Sequence, residues 1–464
     1  MRPMPWKAIL AALTLSVSLP ALAEPGPAER LEADLRALFA SEGRLEIGEV
    51  SEAMIRDRVT ARELHFVGPE GQQLWLDRYV VSGDYDSPDE VRLEGIRLET
   101  PGRERTQLSA KTLVLDAPSR AVLPLHEERW PEDLRIAGLE VEALAAEFAG
   151  QDLGEGFGEG RGRFSVERLQ ATGLSREAIE SLELSGLEGE AEGDGELGGG
   201  TFSLAFARVE GLRGLQGEEE ERELDRLELR DLAIDSDRLV ATLAGFEVDG
   251  DLQDGEGGMR LEALELDLAR MIALAPEEER TRLRMASNVL TGGSGTLRLD
   301  AVSTGRWESE GDATRLLGEL DVTAEEAFGW VLDADLPVRL PEGVAPAAFL
   351  TEMESLEGVT LLGGRVDATL SDLGLFGRLP VIMAASQGIS EAVFLEQART
   401  QAQGFGMMLG PEVEAILTGL VAMMAGEARE LSLQLTLPAD SELEALSADP
   451  LALPERLEMR VESR

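Results

Sequence analysis

The chain contains no cysteine. That excludes disulfides, thiolate metal sites and a lipid anchor on a processed N-terminal cysteine. Lysine is nearly as scarce, with Lys7 and Lys111 the only two, and no glycine-rich loop ends in Lys-Ser or Lys-Thr to cradle a phosphate. Histidine occurs twice. His126, in the stretch HEERW, lacks the second histidine of a zinc-binding helix. His65 lies in the first alternating region, beside a strand face. Neither histidine has a neighbouring nucleophile, and there is no Gly-x-Ser-x-Gly. Aromatics make up only 4% of the chain. They are too few for the girdles of an outer-membrane barrel and scarce for the platforms of a sugar site built on paired carboxylates. Beyond the N-terminus no apolar run approaches the roughly 18 residues of a membrane-spanning helix. The nearest, residues 416–425, follows Glu412 and Glu414. These absences predict no catalytic residue, no metal ligand and no cofactor.

Acidic residues are abundant, 90 against 43 basic ones, for a net charge of −47. Such a field repels nucleic acid and anionic membranes and favours solubility. It is spread along the chain, with one dense run at Glu218 to Glu221. Hydrophobic residues reach 43%, enough for a core built mainly on Leu, Val, Ala and Ile. The sequence DGDLQDG at 249–255 opens like a calcium loop. It departs from the EF-hand spacing, with Asp254 at position 6 and Arg260 at position 12, and reads as an acidic turn.

The N-terminus has the three zones of an export signal: Arg2 and Lys7, an apolar run over 8–19, then Ala21-Leu22-Ala23 ahead of Glu24-Pro25. Cleavage after Ala23 is expected, with the mature chain periplasmic and free of any transmembrane span.

Residues 24–45 hold an amphipathic helix over 27–40, with Leu31, Leu35, Leu38 and Phe39 on one face and Gly43 as its stop. A first β-meander is expected over 46–150, with strands at 59–67, 74–81, 91–98 and 108–115 and turn residues between them. One octet recurs: VRLEGIRL at 91–98, LRIAGLEV at 134–141, ATLAGFEV at 241–248 and MRLEALEL at 259–266, with a weaker copy at 207–214. Its apolar positions 1, 3, 6 and 8 fit no helix and break strand parity between 3 and 6. An extra residue at the small position restores a single face, as a β-bulge does. Gly95, Gly138 and Gly245 are therefore read as bulges or kinks; the alternative is a two-sided strand in a sandwich.

Residues 151–200 are rich in Gly and Glu. Gly154 to Gly162 alternate with other residues, which gives either a linker or a bare strip on an extended chain. Residues 186–200 read as a mobile acidic loop or turn. A second meander is expected over 201–310. From about residue 270 helices mix in, with a polar helical stretch opened by Pro276 and running through Met285. Mixed α/β structure follows over 311–375, with a helix over 327–332 behind a Thr323–Glu326 capping box, another over 346–356 and a strand over 359–370. Residues 376–428 form a Met-rich helical hairpin, with helices at 389–403 and 412–428 joined through 404–411. It packs on the sheet or lies as a lid over an apolar cavity. Terminal strands occupy 429–464, beginning with RELSLQLTLP.

The signal, the strand texture and the late apolar helices resemble AsmA-like exported proteins of Gram-negative bacteria, over about residues 59–300. The resemblance implies a long curled sheet with an apolar groove, linked to lipid movement in the envelope. The chain departs from that family in its acidity and in lacking a persistent anchor. The expected fold is mainly β with α (α+β): elongated, curved antiparallel sheet of short bulged strands, an N-terminal helix and a C-terminal helical hairpin. Because bulges curve a sheet into a concave apolar face, the expected partner is an apolar molecule such as a lipid, or another envelope protein held at sheet edges. Catalysis is not expected; a hydrolase with a spatially assembled site is the remaining alternative.

Overall fold

A computed structural model describes residues 26–39, 43–53, 57–102, 105–123, 133–152, 159–193, 198–216, 222–250, 255–311, 313–341, 344–346, 358–442 and 457–464. The chain divides into two compact units, Met1–Leu239 and Val240–Arg464. The fold is α+β and mainly antiparallel sheet, with helices at its N-terminus and towards its C-terminus.

The first unit opens with α1 (Pro27–Phe39). Its predicted apolar face is the one buried: Leu31, Leu35, Leu38 and Phe39 all pack on the sheet. Ten strands follow in chain order: β1 (Arg44–Ala53), β2 (Arg58–Val67), β3 (Gln73–Asp84), β4 (Ser87–Thr100), β5 (Arg105–Asp116), β6 (Arg135–Asp152), β7 (Glu159–Ser175), β8 (Ala178–Gly193), β9 (Gly200–Arg213) and β10 (Arg226–Ser236). Each pairs antiparallel with the next, an unbroken up-and-down meander.

The stretch 151–200, expected as linker or loops, holds the whole of β7 and β8. Its glycines sit where strands face each other with little side chain between them: Gly160 is opposite Gly193, Gly162 opposite Ala191. The missing side chains let the backbones pair without conferring a loop. Gly154, Gly156 and Gly158 lie outside the described residues, as do His126 and Glu218 to Glu221.

The second unit carries β11 (Val240–Asp249), β12 (Glu256–Asp267), α2 (Leu268–Leu274), α3 (Glu277–Thr291), β13 (Thr296–Glu310), β14 (Ala313–Ala324), β15 (Phe328–Arg339) and β16 (Thr360–Asp372). Then come α4 (Leu375–Gln387), α5 (Glu391–Leu409), α6 (Pro411–Met424), β17 (Glu430–Glu442) and β18 (Glu458–Ser463). Its strands form a second meander, each antiparallel to the next. Among the described residues no helix is long and apolar enough to cross a membrane.

Three expectations change here. The capping box at Thr323–Glu326 starts no helix: Thr323 ends in β14, Glu326 turns the chain at φ 60, and β15 begins at Phe328. Trp330 and Leu332 then face Val322 and Leu320 across the ladder, so apolar pairing overrides the local cap signal. The C-terminal hairpin breaks at the single residue Gly410 (φ 108) and not over 404–411. Helix α5 runs straight through Gly404 and Gly406, since a side chain at Gly406 would strike Glu414 of α6. Helix α6 ends at Met424, short of residue 428, and a third helix, α4, precedes the pair with Pro380 inside it. The helix expected over 346–356 lies almost wholly outside the described residues, as does most of the acidic turn at 249–255.

Candidate functional site

The first unit owes its chemistry to a spacing. In β6 the apolar residues Leu134, Ile136, Leu139, Val141, Leu144 and Ala146 step by two and three alternately. The same alternation runs through the other strands of the unit, from Leu45, Ile47 and Val50 in β1 to Leu227, Leu229, Leu232 and Ile234 in β10. A straight strand turns its face over at each step of three. A residue with positive φ at that step undoes the turn. Glu63 (φ 53), Gly95 (φ 68), Ala143 (φ 50), Gly186 (φ 63) and Asp231 (φ 51) occupy it on β2, β4, β6, β8 and β10.

Of the expected bulge or kink at Gly95 the structure shows the kink: its φ is left-handed, while the register to β3 and β5 is the same on either side of it. Gly138 and Gly245 keep ordinary φ; the left-handed residues beside them are Gly173 (φ 60) on β7 and Ala263 (φ 49) on β12. A kink shared by two paired strands needs one such residue, and either strand can supply it. At these steps the register shifts only between β12 and β13, at Leu261–Leu264. At Ala263 the displaced N–H is satisfied by the Asp300 carboxylate, at 2.8 Å.

The register aligns these steps into continuous rows. One row crosses all ten strands as Val50, Ala61, Tyr79, Leu93, Leu113, Val141, Leu169, Leu184, Ala207 and Leu229, each directly opposite the next. A parallel row runs from Val59 through Val81, Val91, Leu115, Leu139, Ala171, Leu182 and Val209 to Leu227. Across the kink line, Ala110, Leu144, Val166 and Leu187 pack in one cluster with Leu113, Val141, Leu169 and Leu184. One face of the sheet is thus apolar from edge to edge.

The opposite face is ionic. One of its rows is Glu49, Arg62, Arg78, Glu94, Thr112, Glu142, Arg168. Arg168 lies 3.3 Å from Glu140 and 3.8 Å from Glu142, and Arg208 lies 2.9 Å from Glu183. The Lys111 ammonium donates to Glu142 at 3.1 Å and, with the Thr112 hydroxyl, holds that carboxyl below its usual range. His65 belongs to this face. It stacks on Trp75 at 5.3 Å, and its Nε2 meets Gln73 Oε1 at 3.3 Å. Among the described residues no three His, Asp or Glu side chains are arranged to hold a metal.

A single sheet normally buries its apolar face under a second layer. Among the described residues of this unit, the cover lies at one end. Helix α1 packs on β1 and β2. The segment 117–123 lies on β2–β6 through the buried Pro118 and Ala121. Beneath them Ala61 and Val91 are fully buried and Val81 nearly so. The same rows on β8–β10 are only half-buried: Leu182, Leu184, Leu187, Leu204, Leu229 and Leu232 retain contact with solvent. The apolar cluster that reaches Leu184 and Leu187 is made of strand residues alone. This open part of the face is the candidate site.

No site residue was assigned from the sequence. The signal that marks these is the alternation of two- and three-residue steps. It is visible at 91–98 and 259–266 and hidden in 159–193 by the surrounding glycines. No protein-family model matches the chain, and no curated protein matches it either.

Proposed function

We propose that the chain is an exported, non-catalytic protein of the bacterial envelope that holds an apolar ligand, such as a lipid acyl chain, against the uncovered end of the first unit's sheet. The observation that carries this reading is the apolar row from Val50 to Leu229, which is buried at Ala61, Tyr79 and Val141 and only partly buried throughout β8–β10. Covering one partly buried leucine contributes about 1 kcal/mol, so an acyl chain lying across several of them gains about 4–6 kcal/mol, millimolar to tens-of-micromolar strength. The export signal at 1–23 supports a periplasmic setting, and the ion-paired opposite face supports solubility there.

Native mass spectrometry of the purified protein, followed by organic extraction and lipid analysis, tests the reading. A co-purifying lipid displaced by a fluorescent fatty acid is the expected result. Protein that is free of lipid and takes up no fatty acid would refute it. The second reading, a scaffold that pairs with an envelope protein, would instead give a stoichiometric crosslinked partner.

A further inference from the structure

Among the described residues, the large hydrophobic side chains left exposed all fall in the second unit, between Met259 and Met408. Their extreme is the end of the α5–α6 hairpin. Met407 is 85% exposed, Met408 79% and Phe405 49%. In the same turns of α5, Ala402 and Gly406 are buried, and Gly406 lies tight against Glu414 of α6. One side of the helix end is therefore fixed on its partner helix, while the other holds Phe405, Met407 and Met408 out in water beside the uncharged Gln401 and Gln403. The fold gains nothing from them there.

Charge fails at the same place. In a chain of net charge −47, the residues from Thr400 to Pro411 carry no charge; the next charges are Glu412 and Glu414 in the first turn of α6, Glu414 packed against Gly406. The segment 373–411 has only Arg378, Glu391, Glu396 and Arg399, which balance. Val381 and Met383 on α4 and Val393 on α5 extend the exposed apolar character beyond the tip.

We propose that this hairpin end docks on the surface of a zwitterionic lipid bilayer, with Phe405, Met407 and Met408 entering the headgroup–acyl boundary. The three side chains expose roughly 400 Å², about half of the ~800 Å² each partner gives to a stable protein interface. A bilayer sets no such threshold, since interfacial binding grows with each apolar group inserted. Methionine adapts to a fluid neighbour through its unbranched, polarisable chain. The uncharged last turns of α5 can enter the headgroup layer, while the chain's overall charge, Glu412 and Glu414 included, turns it away from anionic lipid. The inference stands on the hairpin and does not rest on the sheet-face reading.

The test uses the full chain with phosphatidylcholine vesicles in a flotation assay, alongside the double variant Met407→Ser, Met408→Ser. Both side chains lie in solvent, so the variant should keep its far-UV circular dichroism. The wild type floats with the vesicles, and the double variant partitions at least about tenfold less. Because the chain has no cysteine, Met408→Cys places a polarity-sensitive dye at the tip alone, and its emission shifts to the blue when vesicles are added. Wild type that stays free of vesicles, or a double variant that floats equally well, overturns the proposal. A dye shift that follows protein concentration without lipid, with dimers in sedimentation velocity, overturns it in favour of a second copy of the chain. Fatty-acid uptake without vesicles should be the same in wild type and double variant, so failure at the tip and failure of the sheet face are read separately.

Discussion

Tyr79 donates its phenolic hydrogen to the backbone carbonyl of Ala121 at 2.6 Å, inside the core of the first unit. The other tyrosine, Tyr85, donates to Asp34 of α1 at 2.8 Å, and its ring lies under the Arg30 guanidinium. The chain's two tyrosines thus pin the two elements that cover the sheet. Replacing Tyr79 with Phe keeps the ring but strands a buried carbonyl, which costs about 1–3 kcal/mol. Urea unfolding followed by tryptophan fluorescence should show a lower midpoint with an unchanged slope. An unchanged midpoint would mean that Ala121 finds water and that the cover is looser than its burial implies.

Both phenols also set an alkaline limit. Burial first, with the nearby Asp34 carboxylate adding to it, raises Tyr79 and Tyr85 above the ordinary value of 10.0. The neutral form is favoured in the folded state, so these groups leave stability untouched below pH 10. Above it the unfolded chain releases protons that the folded one retains, and stability falls as pH rises. With no other tyrosine present, absorbance at 295 nm should show no titration in the folded protein, and the phenolate signal should rise together with the loss of circular dichroism. A separate titration near pH 10 ahead of unfolding would place at least one phenol in solvent.

The kink line makes a paired prediction. Gly95 has φ 68 and faces the Asp77 carboxylate, so Gly95→Ala adds left-handed strain and a clash, for a loss of about 1–3 kcal/mol. Ala143 already carries φ 50 on the equivalent step of β6. There Ala143→Gly relieves a strain of about 1 kcal/mol, which offsets the entropy cost of glycine, and the net change should be near zero. Ala171, buried on β7 with ordinary φ, is the control, and its change to glycine should cost about 1 kcal/mol. Thermal melts of the three variants check the order.

These kinks also show which parts of the fold the sequence discloses. Helix α1 was legible because Leu31, Leu35, Leu38 and Phe39 repeat at helical spacing with no competing signal. The octet at 91–98 was legible because its odd step contradicts a straight strand and a glycine stands beside it. Strand β7 was not, since Gly160 and Gly162 read as linker unless Gly193 and Ala191 are known to face them. The Thr323–Glu326 cap misled because a local signal worth about 1 kcal/mol competes with a ladder of apolar pairs between β14 and β15. The candidate site could not be located at all. Its residues are ordinary leucines, and what distinguishes Leu184 from Val91 is that no described residue outside the strands packs on it, which no local pattern encodes.

That difference leads to the last prediction. A carboxylate at Val91 would be buried without a partner and should unfold the unit, for the side chain is completely enclosed. A carboxylate at Leu184 or Leu229 can reach water from a half-exposed position, so Leu184→Asp and Leu229→Asp should each cost only about 1–2 kcal/mol and leave the fold intact. If the open end of the sheet holds an acyl chain, each change also puts a charge against that chain, and fatty-acid affinity should fall about tenfold or more. Arg168→Ala, on the ionic face of the same sheet, removes only solvent-exposed pairs and should alter neither stability by more than about 1 kcal/mol nor uptake. Fluorescence displacement and thermal melts on the same preparations separate the outcomes. Uptake lost through Arg168 and kept through Leu184 and Leu229 would move the site to the opposite face.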